Sequence, residues 1–235
     1  MVLVAALACD DGGGKGGDAG FDPPEWCPPP ESGRQEVEGT PASPYFVDHP
    51  DTFDVDAPTV VFLPGGNGGW SHADGTWAGF IEGATRGDDF RVVMPYSDSS
   101  ELPVEQDRLL EILDEVLTCY GGDPGRVHLA GHSAGGYMAF DLMLDSPQRF
   151  ATLAGAPGQF SVFSSDAVTA ALSGKSVLVG AGEYDLDWKD AMLELDEQLT
   201  LLGIDSMYIE FEGQNHTPSP MWTGRDDLFD FWAAH

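Results

Sequence analysis

The chain has 235 residues, 42% of them hydrophobic, which suffices for one α/β domain with a full core and is tight for two. It carries 40 Asp and Glu against 10 Lys and Arg, a formal net charge of −30. Such a surface repels phosphate backbones and anionic headgroups, so nucleic-acid binding is excluded as an expectation and solubility is favoured.

The first residues read as a targeting segment. Val2 to Ala8 is apolar and small, Cys9 follows, and a polar Gly/Asp run begins at once. Residues 1–9 are therefore expected to be a truncated lipoprotein-like signal, with Cys9 as a lipid acceptor and the protein secreted, periplasmic or held at the cell surface. The pattern lacks a basic n-region, and Leu7 sits one place closer to the cysteine than is usual. Membrane attachment is expected only through Cys9, since no run of eighteen apolar residues occurs. Residues 10–44 are rich in Gly, Pro and Asp and are expected to form a flexible tether that stiffens where Pro28, Pro29 and Pro30 cluster. Cys27 and Cys119 form an even pair once Cys9 is set aside. They are read as one disulfide in an oxidising compartment, or as two separate buried thiols.

The catalytic domain is placed at residues 45–235. Thr59–Leu63 is a continuous apolar run closed by Pro64 and glycines, which suits a strand buried on both faces. Residues 90–94 end similarly at Pro95. Leu109, Ile112, Leu113, Val116, Leu117 and Tyr120 recur at helical spacing, with Pro103 in the expected first turn and Gly121 and Gly122 as the stop. Residues 126–130 read as a strand and 133–144 as a helix. Strands follow at 150–154 and 176–181, then a helix through Met192, Leu195, Leu199 and Leu202. A strand at 207–211 and a helix at 228–232 close the chain. Alternation of this kind predicts a mostly parallel sheet with helices on both faces, whose functional residues gather at the carboxyl ends of the strands.

Gly131-His132-Ser133-Ala134-Gly135 lies between a predicted strand and a predicted helix, the context a nucleophile elbow demands. Gly131 and Gly135 must be small for backbone to pass at the sharp turn, and Ser133 is presented at a helix N-terminus, where negative charge is stabilised. A nucleophilic serine needs a base, and the base an orienting carboxylate. Of six histidines, His216 alone follows the last predicted strand within a loop. His132 is expected to point its ring away from the site. Glu183, Asp185 and Asp187 crowd the loop after strand 176–181; Asp185 is chosen as the acid, with the other two as alternatives. The order Ser133, Asp185, His216 matches that of hydrolases built on such elbows. The oxyanion hole is assigned to the N–H of Ala134 and to the glycine-rich loop 65–70, with Gly66 as donor and Asn67 as the alternative. No metal and no cofactor are expected, because no His/Cys cluster has ligand spacing.

The stretch Asp123-Pro124-Gly125-Arg126-Val127-His128-Leu129-Ala130-Gly131-His132-Ser133-Ala134-Gly135-Gly136-Tyr137-Met138-Ala139 resembles the polyhydroxybutyrate depolymerase and feruloyl-esterase-like branch of the α/β-hydrolase superfamily. Residues 146–151 and the Gly-x-x-Asp of Gly182 to Asp185 are similar too, and the resemblance runs from about Pro58 onward. Pro64 departs from it, since these enzymes usually carry His there. The resemblance implies an α/β-hydrolase fold with little or no lid, acting as a serine esterase on a small-molecule or polymeric ester through an acyl-enzyme. A peptidase or thioesterase on the same triad, or a catalytically silent surface-displayed binding protein of this fold, are the alternative readings.

Overall fold

The computed structural model describes residues 21–97 and 106–235. The signal-like segment 1–9, residues 10–20 of the expected tether and Pro103 lie outside the described residues. The core of the molecule is an eight-stranded sheet: β1 (Gln35–Val37), β2 (Tyr45–Asp48), β3 (Thr59–Leu63), β4 (Arg91–Pro95), β5 (Val127–Gly131), β6 (Thr152–Gly155), β7 (Ser176–Gly182) and β8 (Asp205–Phe211). The strand order is β1-β2-β4-β3-β5-β6-β7-β8. The pairs β1–β2 and β2–β4 are antiparallel, and every pair from β4 to β8 is parallel.

Two helix layers cover the sheet, and alternation along the strands decides which residue meets which layer. Val61 and Leu63 of β3, with Val127 and Leu129 of β5, pack beneath α2 (Gln106–Tyr120), α3 (Ala134–Asp145), α4 (Ser165–Leu172) and α5 (Leu186–Leu201). Val60 and Phe62 point the other way, into a cluster with Trp77 and Phe80 of α1 (Trp70–Phe80) and Phe229 and Trp232 of α6 (Asp226–Ala233). A strand with both faces covered has no position for a polar side chain without a partner. This is why β3 reads as an unbroken apolar run. His128 of β5 is one of the buried polar strand residues, and it is satisfied by Thr152 Oγ1 of β6 at 3.0 Å.

α2 ends where expected. Gly121 adopts φ +73, and a Cβ there would lie 2.6 Å from the Val55 carbonyl, so only glycine fits the stop. The buried Arg91 of β4 then donates to the carbonyls of Tyr120 and Gly121 at 2.8 and 2.7 Å. It thereby places a cation at the negative end of the helix dipole. Burial pushes its pKa down to about 10, against the opposing effect of the Asp54 carboxylate.

The expectation of a flexible tether across residues 10–44 is corrected in its C-terminal part. Gln35–Val37 forms β1, Val37 and Ala42 are buried, and the segment packs on α2. The composition of this stretch is too poor in apolar residues to build a core. It does not need to, because it adds one strand to an existing sheet and is held by α2. The Glu115 carboxylate accepts from Thr40 Oγ1 at 2.5 Å, from Ala42 N at 2.8 Å and from the Tyr45 hydroxyl at 3.0 Å. One turn further along the helix, Cys119 is disulfide-bonded to Cys27, their Cα atoms 5.2 Å apart. β2, α1 and α4 are further elements that the sequence pattern did not predict; the other predicted elements occur with shifts of up to a few residues at their ends.

Candidate active site

β5 ends at Gly131 and α3 begins at Ala134, leaving His132 and Ser133 to turn the chain. Ser133 has φ 56 and ψ −117, the one positive φ outside glycine among the described residues. Holding a side chain in that region costs on the order of 1–3 kcal/mol, so the surroundings must enforce it. They do so by close approach. A Cβ on Gly131 would lie 2.2 Å from the Gly135 carbonyl, and one on Gly135 would lie 2.3 Å from the Leu63 carbonyl. Ser133 N donates to the Pro157 carbonyl at 2.8 Å and His132 N to that of Leu63 at 3.0 Å, fixing the turn between neighbouring strands.

The structure brings the three expected polar residues into one chain of hydrogen bonds. His216 Nε2 lies 2.9 Å from Ser133 Oγ, and His216 Nδ1 lies 2.6 Å from Asp185 Oδ2. With an ionised carboxylate at Nδ1, that nitrogen carries the proton, and Nε2 is left with a lone pair facing the serine hydroxyl. Asp185 is half-buried at the N-cap position of α5, yet its side chain makes no capping bond to its own helix. Its carboxylate is turned to His216 instead. The neighbouring acids do other things: Glu183 accepts from Gly213 N at 2.8 Å, and Asp187 is exposed in the first turn of α5.

The loop carrying His216 is held along its backbone. Tyr184 N donates to the Gln214 carbonyl at 2.9 Å, and Gln214 N to that of Phe211 at 3.1 Å. The end of β7 passes so closely that a Cβ on Gly182 would lie 2.3 Å from the Asn215 carbonyl. His132 was expected to point away, and this is corrected. Its buried Nε2 reaches the His216 carbonyl at 2.9 Å, and its ring centroid is 4.9 Å from that of His216. The turn leaves the ring no solvent to point into, so it packs under the loop. Burial, the largest cause, pushes its pKa down to about 4 against the hydrogen bond to His216, which acts to raise it, and keeps the ring neutral. Trp188 of α5 stacks on His216 at 6.0 Å and 25°, and touches Tyr137 of α3 at 5.5 Å. Trp188 and Tyr137 were not predicted as site residues; their helical spacing from Asp185 and Ser133 was the available signal.

Gly66 and Ala134 line one small apolar pocket together with Leu63, Pro64, Leu109 and Met138. Gly66 has φ +60, and a Cβ there would lie 2.0 Å from the His72 ring. Gly65 N is committed to Thr76 Oγ1, and Gly68 N to the Gly65 carbonyl. Asn67 turns its Oδ1 back onto Gly69 N at 3.0 Å, closing an Asx turn that shapes the loop.

A sequence model of the alpha/beta hydrolase family matches residues 60–234. No curated protein matches the sequence significantly. Among solved structures, the chain is similar to an S-formylglutathione hydrolase from Staphylococcus aureus, with 16% identity, a TM-score of 0.66, and 87% of this chain and 98% of that one covered. A mutant of the feruloyl esterase module from Clostridium thermocellum, complexed with sinapinate, gives 12% identity and a TM-score of 0.63, over 92% of this chain and 90% of that one. A thermostable esterase gives 18% and 0.60 over 87% of this chain, which spans only 62% of that protein's length. At such identities the likeness is one of fold, and the family match covers most of the sequence. The strand order, the elbow between β5 and α3 and the family match converge: this chain belongs to the alpha/beta hydrolase family.

Proposed function

We propose that the protein hydrolyses carboxylic esters through an acyl-enzyme formed on Ser133. The observation that carries this reading is the hydrogen-bonded chain from Ser133 Oγ through His216 to Asp185 at 2.9 and 2.6 Å. In the first half-reaction His216 Nε2 takes the Ser133 proton while Oγ forms a bond to the ester carbonyl carbon. The oxyanion is held by the N–H groups of Ala134, the residue after the nucleophile, and Gly66, which lines the same small pocket as Ala134. Collapse breaks the bond to the alcohol oxygen, which leaves with the proton from His216. Water then attacks the acyl carbon, gives its proton to His216 and frees the acid, and that proton returns to Ser133. Asp185 holds the Nδ1–H tautomer throughout and stabilises the imidazolium. The names of the fold neighbours, two esterases and a thioester hydrolase, support an acyl substrate. The Cys27–Cys119 disulfide supports export to an oxidising compartment.

Stopped-flow hydrolysis of 4-nitrophenyl acetate tests the acyl-enzyme. Rapid release of about one nitrophenol per enzyme before the steady state, absent from Ser133→Ala, is the expected outcome. Equal activity in Ser133→Ala and the wild type would remove the proposal.

A further inference from the structure

His132 is a buried polar residue that the chemistry above does not use. Its Nε2 faces the carbonyl oxygen of His216 at 2.9 Å. A carbonyl oxygen can only accept, so Nε2 must carry the hydrogen, and Nδ1 is left as a bare lone pair. Nδ1 is buried and has no hydrogen-bond partner, and a Cβ on Gly65 would lie 2.5 Å from it. A buried nitrogen without a partner costs stability, so its retention calls for a reason at the other end of the ring. That end grips the backbone of the residue whose side chain Ser133 touches. Two adjacent residues of one strained turn therefore hold His216 at two points: Ser133 Oγ meets ring Nε2 at 2.9 Å, and His132 Nε2 meets the main-chain oxygen. Because the turn is fixed to Leu63 and Pro157, the spacing between these two contacts is fixed too.

We propose that His132 is a positioning residue, which sets the distance between the nucleophile and its base by hydrogen-bonding the His216 carbonyl from the residue next to Ser133. The inference rests on the reading of His216 as the base. It assigns His132 no contact with substrate. Without the bond, the His216 loop keeps its other anchors at Tyr184 and Glu183 and folds, but the ring is free to drift from Ser133. A misplacement of about 1 Å costs on the order of a hundredfold in turnover.

The test compares His132→Phe, which keeps a ring and removes the donor, with His132→Gln, whose amide N–H reaches about as far as Nε2. Both are assayed on a soluble nitrophenyl ester, with melting temperatures as the check on folding. His132→Phe should lower kcat on the order of tenfold to a hundredfold with KM changed less than about twofold, and His132→Gln should recover most of kcat. If His132→Phe does not fold, His132→Asn, too short to reach the carbonyl, takes its place with the same expected loss. A variant that folds without this bond, His132→Phe or His132→Asn, and keeps kcat within about twofold of wild type overturns the proposal, as does His132→Gln performing no better than that variant. Ser133→Ala and His216→Ala run beside them. If either retains wild-type turnover, the reading of the site itself fails and the positioning role falls with it; if both are inactive, the His132 variants decide the positioning role alone.

Discussion

Asp185 occupies a helix N-cap position, where an aspartate ordinarily accepts from its own backbone, and it does not do so. Its carboxylate serves His216 at 2.6 Å, while Asp187, two residues on, faces solvent and complements the helix dipole. Asp185→Asn is accordingly expected to lower kcat by roughly four orders of magnitude, because an amide can stabilise the wrong imidazole tautomer and no imidazolium. Asp187→Asn should stay within about threefold of wild type, since it meets no catalytic group. Steady-state kinetics of the two variants, with Glu183→Gln beside them, checks the assignment; Asp187→Asn proving the most damaging would move the acid to that position. Ser133, His216 and the crowd of three carboxylates were legible in the sequence, because chain order and position after a strand select them. The choice among the three acids was not legible from pattern, as it depends on which side chain faces the His216 loop. Nor was the direction of the His132 ring, which is set by the tightness of the elbow against β3 and β6.

At the scale of elements, the strands that read most clearly are those buried on both faces. Burial of both faces forces every position in Thr59–Leu63 to be apolar or satisfied, and the run stands out. α1 was missed because Gly75, Gly79 and Ser71 interrupt its pattern. Its stability comes from Trp77 and Phe80 packed on the sheet. β1 was missed for a related reason. A three-residue edge strand has no periodicity of its own and exists because β2 and α2 receive it. Its Glu36 also accepts from the Trp70 indole at 2.7 Å and the Tyr96 hydroxyl at 2.5 Å, so this N-terminal strand braces the start of α1, next to the Gly66 loop. The disulfide closes a loop spanning 92 residues of sequence separation. Removing it with Cys27→Ser and Cys119→Ser together should lower the unfolding free energy by roughly 2–5 kcal/mol, with turnover near wild type well below the melting temperature. Denaturant unfolding of the double variant measures this. An unchanged midpoint would mean that Glu115 and the sheet pairing alone hold the segment.

For the molecule as a whole, the net charge of −30 and three buried, uncharged histidines govern the response to solution conditions. Burial pushes His49 down to about 3, and His128 and His132 down to about 4, from an ordinary value of 6.5. Between those values and 6.5 the unfolded chain binds protons that the folded chain refuses. The stability these residues contribute is thus present above pH 6.5 and lost as the pH falls toward about 4. His128→Asn, whose amide lies about where Nδ1 does and can still bond Thr152, should flatten the dependence of unfolding free energy on pH in that window by up to about 1.4 kcal/mol per pH unit. Comparing variant with wild type cancels the many carboxylates common to both; identical slopes would show that His128 protonates in the folded state as readily as in the unfolded one.

Acylation of Ser133 is read out by covalent labelling. The protein is treated with a fluorophosphonate, which captures an activated serine, and the modified residue is located by peptide mass spectrometry. Stoichiometric addition at Ser133, with parallel loss of ester hydrolysis and no addition to Ser133→Ala, is the predicted result. Hydrolysis that survives complete labelling of Ser133, or persists in Ser133→Ala above about a hundredth of the wild-type rate where triad loss costs roughly a millionfold, would contradict it.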